Sequence, residues 1–243
     1  MTSATIVQLY PDELGVAGDR GNLLALSARL TSAGIEHEVV EYRRGDAFPT
    51  NADAVVVGSG PLSAMRNIHA DLTANADTLR GWAADGVPIF AYGSGAELLS
   101  HGIELIAGGT LEGIGIFPFR AARVTERKVG YILVNTAWGQ LVGFEDNASV
   151  WKLDESATRL GTVTAGSGNG DGHEGVVMGT SIATHIGGPA LPLNPRLGDQ
   201  LVSAVAARLG IDAAPPAATE IDEYARKARE VIVANAAHVF SRI

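Results

Sequence analysis

Apolar segments that each lead into a turn and then a helical segment recur through the first half of the chain, and this repetition constrains the fold more than any other feature. Helical apolar spacing covers residues 22–30 and 72–84, and Gly34 stops the first of these helices. Repeated strand and helix units predict an α/β fold, with a mostly parallel sheet and helices on both faces. The predicted strands are residues 6–9, His37–Tyr42, Ala54–Val57 and residues 88–91.

The pattern changes after residue 123, where short strand-like segments replace the strand and helix alternation. Residues 129–135, 140–144 and 176–183 predict antiparallel strands around a flexible Gly/Asn/Asp-rich loop at 166–172. Helical spacing then predicts two closing helices, and the Ala/Pro-rich connector between them is too short to separate domains. We therefore expect residues 1–243 to form one domain. The closing helices are predicted at residues 196–209 and 220–240, with the connector at 212–218.

Charge and cysteine content exclude several classes of function. The formal net charge is -9 and no dense Lys/Arg cluster is present, whereas nucleic-acid-binding proteins concentrate positive charge on one face. Apolar runs fall short of the roughly 20 residues of a membrane span, and no signal-peptide pattern precedes the first strand, so we expect a cytoplasmic protein. The chain has no cysteine, which excludes disulfides, thiolate metal sites and a thiolate nucleophile.

Histidine and carboxylate spacing predicts no metal site. Four histidines show no ligand spacing with one another or with nearby carboxylates. Residues 166–171 lack the acidic density of an EF-hand loop. We predict neither a metal nor another cofactor. The four histidines are His37, His69, His101 and His238.

Several blocks, in one order over most of residues 5–200, resemble the GatD-like, cobyric-acid-synthase-type family of class I glutamine amidotransferases. The last block, residues 185–195, reads His-Ile-Gly-Gly-Pro-Ala-Leu-Pro-Leu-Asn-Pro. The resemblance implies a flavodoxin-like three-layer sandwich, hydrolysis of the glutamine amide and a MurT-like Mur ligase as partner. The other blocks are residues 9–12, 18–22, 57–61, 111–117, 142–146 and 166–175.

The family hydrolyses glutamine with a cysteine thiolate, which attacks the amide, and a histidine that accepts and returns the proton. The cysteine sits at a tight turn from strand to helix, which exposes the sulfur and directs backbone amides at the oxyanion. The matching residues 91–95 read Ala-Tyr-Gly-Ser-Gly, so Gly93 stands at the cysteine position. Matching residues 188–195 places Gly187 at the histidine position. We therefore expect a scaffold that no longer hydrolyses glutamine.

Ser94 and His185 are the candidates for replacing the missing pair. Ser94 stands in a Gly-Ser-Gly sequence, but Tyr92 breaks the rule that small residues flank a serine elbow. We interpret Ser94 as a helix-start serine that satisfies backbone donors. His185 shares a strand face with Gly187, but the two-residue offset moves the ring by roughly 6–7 Å. We interpret it as a surface or strand-end histidine.

The resemblance also implies a substrate pocket. The loop of residues 57–61 and the turn at 93–95 are expected to present backbone N–H groups to an anion or a carbonyl. Arg127 and Lys128 match basic residues near the substrate α-carboxylate in the family, although an exposed hairpin charge is the alternative interpretation. Glutamine or another small molecule is a candidate ligand. The predicted pocket residues are Gly58, Ser59, Gly60, Ser94 and Arg127.

Three functions remain open. The first is an inactive GatD-like subunit that holds or regulates a MurT-like ligase in peptidoglycan precursor modification. The second is an active glutaminase, using Ser94 or a partner's residue, that supplies ammonia for amidation of the lipid II D-glutamate. The third is a stand-alone protein that binds a small molecule in the former glutamine pocket. Loss of ammonia release in Ser94→Ala identifies the second, and co-purification separates the first from the third.

Overall fold

The computed structural model describes residues 3–213, 219–237 and 241–242. The strands are β1 (Ala4–Leu9), β2 (His37–Tyr42), β3 (Ala54–Val57), β4 (Ile89–Tyr92), β5 (Gly102–Glu104), β6 (Thr110–Glu112), β7 (Phe119–Thr136), β8 (Gly139–Leu153), β9 (Thr158–Ala165), β10 (His173–Met178), β11 (Ser181–Thr184) and β12 (Ser241–Arg242). The helices are α1 (Arg20–Ser32), α2 (Leu62–Ala74), α3 (Ala76–Ala84), α4 (Gly93–Leu99), α5 (Ala190–Leu193), α6 (Pro195–Leu209) and α7 (Glu220–Ala234).

One mixed sheet runs through the described part of the chain, in the order β2-β1-β3-β4-β11-β10-β9-β7-β5-β6. The first five strands of this order are parallel, and most pairs beyond them are antiparallel. β8 and β12 pair with β7 outside the main path. The parallel half confirms the predicted α/β class, in three layers of helix, sheet and helix.

Side chains of the parallel strands alternate between two apolar cores. Along β1, Val7 and Leu9 face the core that α2 and α3 cover, whereas Ala4 and Ile6 face the core of α1 and α6. Because both faces are covered, these strands read as continuous apolar runs rather than alternating ones. Each fully buried Leu or Ile contributes about 1.5–3 kcal/mol to this packing.

Several predicted elements differ in the structure. The helix predicted over residues 72–84 is two helices, α2 and α3, which meet at Asn75. The segment 176–183 contains two strands, β10 and β11, which pair antiparallel as predicted, and β11 also pairs in parallel with β4, which joins the two halves of the sheet. α7 ends at Ala234, short of the predicted residue 240. Residues 214–218 of the connector and His238 lie outside the described residues.

The candidate site lies at the carboxyl edge of β3, β4 and β11. Parallel strands end at the same edge of a sheet, so the segments that follow these three strands come together there. They are the loop 58–61, the turn at Gly93 and residues 185–187. Among the described helices, none combines the length and the apolar character of a membrane span.

Candidate functional site

Gly93 forms the turn between β4 and α4, with a backbone φ of 53°. L-residues with side chains adopt this left-handed conformation only with strain, which strand-to-helix nucleophile turns tolerate. A Cβ at position 93 would lie 2.8 Å from Ser59 Oγ and 3.2 Å from Ser59 Cβ. The backbone therefore has the shape of a nucleophile turn, but a neighbouring serine occupies the space in front of it.

Tyr92 fills the space that a side chain at position 187 would need. A Cβ on Gly187 would lie 2.4 Å from Tyr92 Oη. The backbone of Gly187 is fixed by reciprocal hydrogen bonds with Phe144, at 2.9 Å and 3.1 Å. Tyr92 is buried, and burial together with the charges of Asp19 and Asp146 raises its pKa, so the hydroxyl stays protonated. The tyrosine that breaks the serine-elbow rule thus packs in the space of a side chain at position 187.

Ser94 ties α4 to the glycine-rich loop. Its Oγ accepts a hydrogen bond from Gly60 N at 2.8 Å and donates one to Gly60 O at 2.8 Å. It does not cap its own helix, so the donor that it satisfies belongs to the loop. No hydrogen bond joins Ser94 to His185 within the described residues. In this arrangement the Ser94 side chain links α4 to the loop.

His185 directly follows β11, as the strand-end interpretation expects, but it is 1% exposed, so the surface interpretation is wrong. Its ring packs on Trp151, with centroids 3.8 Å apart. Its Nδ1 lies 3.5 Å from Glu174 Oε2, and neither ring nitrogen has a hydrogen-bond partner among the described residues. Glu174 also accepts hydrogen bonds from Thr184 Oγ1 at 2.7 Å and from His185 N at 2.6 Å. Sequence reasoning missed Glu174, although it lies in the 166–175 block.

The loop of residues 58–61 uses its backbone donors inside the protein. Ser59 N donates to the buried carboxylate of Asp19 at 3.0 Å, and Gly60 N donates to Ser94 Oγ. Ser94 N donates to Ser59 Oγ at 3.3 Å. A Cβ on Gly58 would lie 2.0 Å from Leu14 O, which explains the glycine. The expectation that Ser59 and Gly60 present free N–H groups to a ligand is therefore wrong for both residues.

Asp19 is a buried carboxyl beneath this loop. It is 1% exposed, and burial raises its pKa to about 6 despite hydrogen bonds from Ser59 N and Ala17 N. One carboxyl oxygen, Oδ1, has no hydrogen-bond partner among the described residues. The sequence block at residues 18–22 thus positions a group that supports the glycine-rich loop from below.

Arg127 lies at the cleft, but its guanidinium is held by Asp146. Nε and Nη2 of Arg127 donate to the two carboxyl oxygens of Asp146, at 2.6 Å and 2.8 Å. Arg123, which sequence reasoning missed, lies deeper and donates to Glu97 Oε2 at 2.7 Å. Glu97 is buried and accepts a second hydrogen bond from Ser149 Oγ at 2.6 Å. A charged residue within the apolar α4 was the only sequence signal for this pair.

These residues border a cleft of about 650 Å³. Of the predicted pocket residues, Ser59, Gly60, Ser94 and Arg127 line it, whereas Gly58 packs behind the loop. Tyr92, Gly93 and His185 form part of the same wall. In the described ranges, no group of three or more His, Cys, Asp or Glu residues is placed to hold a metal ion.

A parallel sheet between helices, with a strand-to-helix turn and a glycine-rich loop at its carboxyl edge, defines a class I glutamine amidotransferase-type protein. The model of the CobB/CobQ-like glutamine amidotransferase domain matches residues 5–194, and the chain belongs to this family.

Two solved structures share the fold of this chain, and one known protein resembles it in sequence. A crystal structure of a glutamine amidotransferase superposes with a TM-score of 0.55, at 19% identity, over 84% of this chain and 99% of that chain. A glutamine amidotransferase from Thermotoga maritima gives 0.52, at 11% identity, over 97% and 91%. In sequence, the chain is 30% identical over 238 residues, 96% of each chain, to the GatD subunit of lipid II isoglutaminyl synthase (glutamine-hydrolyzing) from Staphylococcus aureus strain N315.

Proposed function

We propose that the chain is a non-hydrolysing GatD-like subunit that holds or regulates a MurT-like Mur ligase in the modification of a peptidoglycan precursor in the cytoplasm. The observation that carries this proposal is the pair Gly93 and Gly187, glycines at the two positions that the sequence resemblance matches to the family's cysteine and histidine. Without a nucleophile, the covalent route to ammonia has no first step.

The surroundings of both glycines support the same conclusion. Tyr92 packs in the space of a side chain at 187, and Ser59 packs in front of position 93. The N–H groups of Ser59 and Gly60 are bound within the protein, so they are not free for a developing oxyanion. We infer that the nucleophile, the base and these two oxyanion donors were lost together, as expected where hydrolysis is no longer selected.

The partner is supported by the relative and by the surface. The Staphylococcus aureus protein is named as a subunit, and this chain matches almost all of its length. α7 carries three large apolar side chains that are each about 60% exposed, Ile221, Tyr224 and Val231. Their spacing along the sequence places them near one side of the helix. Large exposed apolar side chains grouped on one helix are typical of a protein interface.

Co-expression with the Mur-ligase-like protein from the same source tests the proposal. We expect a stable complex that amidates its acceptor when ammonium chloride is supplied and not when glutamine is the only nitrogen source. The matched control replaces Arg226, a charged residue on the other side of α7, with Ala and should still assemble, whereas Tyr224→Ala should weaken assembly. A complex that amidates equally well from glutamine would overturn the proposal.

The active-glutaminase alternative uses either a residue supplied by a partner or Ser94, the hydroxyl in the cleft wall next to the turn. Both hydrogen bonds of its Oγ with Gly60 would have to break before it reached a substrate. His185 makes no hydrogen bond to it. Ammonia release that disappears in Ser94→Ala would favour this alternative.

A further inference from the structure

A second pocket, of about 320 Å³, lies outside the cleft, where the β7–β8 turn, the start of α6 and one side of α7 meet. Its volume is at the lower end of the range for small-molecule sites, about 300–1,000 Å³. Trp138, Leu141 and Pro195 give it an apolar wall. Arg196 and Arg229 stand in the same wall. The pocket thus combines an apolar surface with two guanidinium groups.

The turn between β7 and β8 holds Trp138 at the pocket. Thr136 Oγ1 accepts a hydrogen bond from Trp138 N at 3.1 Å and donates one to Gly139 O at 2.8 Å. Gly139 has a φ of 103°, a conformation that residues with side chains rarely adopt, so the turn needs a glycine there. The indole packs on the core below the turn and stays half-buried. The local sequence Thr-Ala-Trp-Gly therefore fixes an aromatic ring in the pocket wall.

The two arginines converge on the same turn. Arg229 Nη2 donates to Gln140 O at 2.6 Å, and Arg196 Nη1 lies 3.4 Å from the place of a Cβ on Gly139. Burial and the positive charge of Arg196 lower the pKa of Arg229, which shows that the two guanidinium groups repel each other. An anion beside both groups would relieve this repulsion.

Both arginines keep donors free for a ligand. Arg229 Nη1 donates to Leu193 O and to Asn194 Oδ1, which are uncharged acceptors. Its Nε makes no hydrogen bond to the described residues and remains accessible to solvent. The side chain of Arg196 is exposed and makes no hydrogen bond or ion pair in the described part of the chain. Neither guanidinium group therefore has a carboxylate partner among these residues.

The carboxylate in the pocket wall is turned to another cation. Asp222 accepts hydrogen bonds from Arg29 Nη1 at 2.8 Å and from Thr219 N at 2.8 Å, one on each of its oxygens. Arg29 also pairs with Asp199. These three charged side chains together carry one negative charge. The two arginines that face the pocket outweigh it.

Arg226, the third arginine of the wall, adds no net charge. It pairs with Glu223 and Glu230, and Lys227 lies 3.8 Å from Glu223. This group of four is neutral. When the charged side chains of the wall are counted with their described partners, an excess of one positive charge remains. Because a local excess of one sign in a concave site attracts ligands of the opposite sign, the pocket favours an anion.

We propose that this pocket binds an organic phosphate monoester, with the phosphate beside Arg196 and Arg229 and an apolar ring against Trp138. Two guanidinium groups match the nearly double charge of a phosphate monoester at neutral pH better than the single charge of a carboxylate. The indole and the aliphatic side chains beside it suit a flat ring. The pocket shares no lining residue with the cleft, and the site does not depend on the proposed loss of hydrolysis.

Isothermal titration of the full chain with phenyl phosphate, inorganic phosphate and benzoate tests this proposal. We expect phenyl phosphate to bind at least about tenfold more tightly than either of the others, since inorganic phosphate lacks the ring and benzoate lacks the second charge. Arg196→Gln should weaken phenyl phosphate binding by about tenfold or more, the usual effect of losing a charge-assisted hydrogen bond. This variant should fold, because Arg196 is exposed and makes no described polar contact. The control Arg66→Gln removes an exposed arginine that lines the cleft instead, and it should leave the affinity unchanged.

NMR spectra of the isotope-labelled chain show where phenyl phosphate binds. The indole N–H signal of Trp138, identified by its loss in Trp138→Phe, should shift on binding. The signal of Trp151, which packs on His185 of the cleft wall, should stay in place. The proposal is overturned by any of four results: no saturable binding of phenyl phosphate, equal affinity for one of the other two anions, unchanged affinity in Arg196→Gln, or a shift of Trp151 without one of Trp138.

Discussion

The hydroxyl oxygen of Tyr92 lies only 2.4 Å from the point where a residue larger than glycine at position 187 would place its Cβ. The two positions are therefore coupled. Tyr92 fits because residue 187 is glycine, and a larger residue at 187 requires the tyrosine to move.

Gly187→His should destabilise the fold by about 1–3 kcal/mol, the usual result of overfilling a packed interior. The double variant Gly187→His/Tyr92→Ala should recover part of this loss, because the ring that blocks the histidine is removed. Chemical denaturation gives both free energies of unfolding. Gly81→His is the control, since a Cβ at Gly81 meets nothing within 4 Å. Additive effects of the two substitutions would contradict the coupling.

Gly93→Ala should cost more than Gly34→Ala. Both glycines have positive φ, 53° and 74°, so alanine is strained by about 1–2 kcal/mol at either position. Only Gly93 also faces Ser59, whereas a Cβ at Gly34 meets nothing within 4 Å. The difference between the two variants in free energy of unfolding measures the Ser59 contact, and Ser59→Gly in the Gly93→Ala background should reduce it. Equal destabilisation would show that Ser59 does not obstruct the turn.

Ser94→Ala should destabilise the chain by about 0.5–1.5 kcal/mol, because Gly60 N loses its acceptor in a partly buried site. Ser63→Ala, an exposed position on α2, is the control and should change little. Thermal unfolding with a calorimeter measures both. Unchanged stability in Ser94→Ala would mean that Ser94 is not the link between α4 and the loop.

Asp19→Asn should stabilise the chain increasingly as pH rises. Burial raises the Asp19 pKa from 3.8 to about 6, so the folded state favours the protonated carboxyl. Its stabilising contribution is full below the lower value and is lost as pH rises through about 6, whereas asparagine does not titrate. The difference in free energy of unfolding between variant and parent should grow over this window to about 3 kcal/mol. Asp85→Asn, at an exposed position, controls for the substitution itself, and a flat difference for Asp19→Asn would contradict the assignment.

The parallel half of the fold could be predicted because β1, β3 and β4 are short apolar runs buried on both faces, a local pattern. The break at Asn75 was missed, since α2 and α3 together keep the apolar spacing of one helix. The antiparallel pairing of β11 with β10 could be predicted because it is local, whereas the pairing of β11 with β4 was missed because it joins residues far apart in the chain.

The candidate site, like the fold, could be predicted from the sequence only in part. The prediction that Gly93 and Gly187 stand at the catalytic positions could be made because the motifs around them are local, and it stays a prediction. The burial of His185 could not, because it depends on Trp151 and Glu174, which come from other strands. The capture of the Ser59 and Gly60 donors also needed the fold, since it depends on how Asp19 and Ser94 meet the loop.

Ammonia release from L-glutamine tests the central claim most directly. The purified chain, alone and in complex with the Mur-ligase-like protein, should release ammonia no faster than protein-free buffer, and Ser94→Ala should give the same background. Turnover above that background in the wild-type chain, abolished by a single substitution in the cleft, would show that another nucleophile does the work of the missing cysteine and would contradict the account.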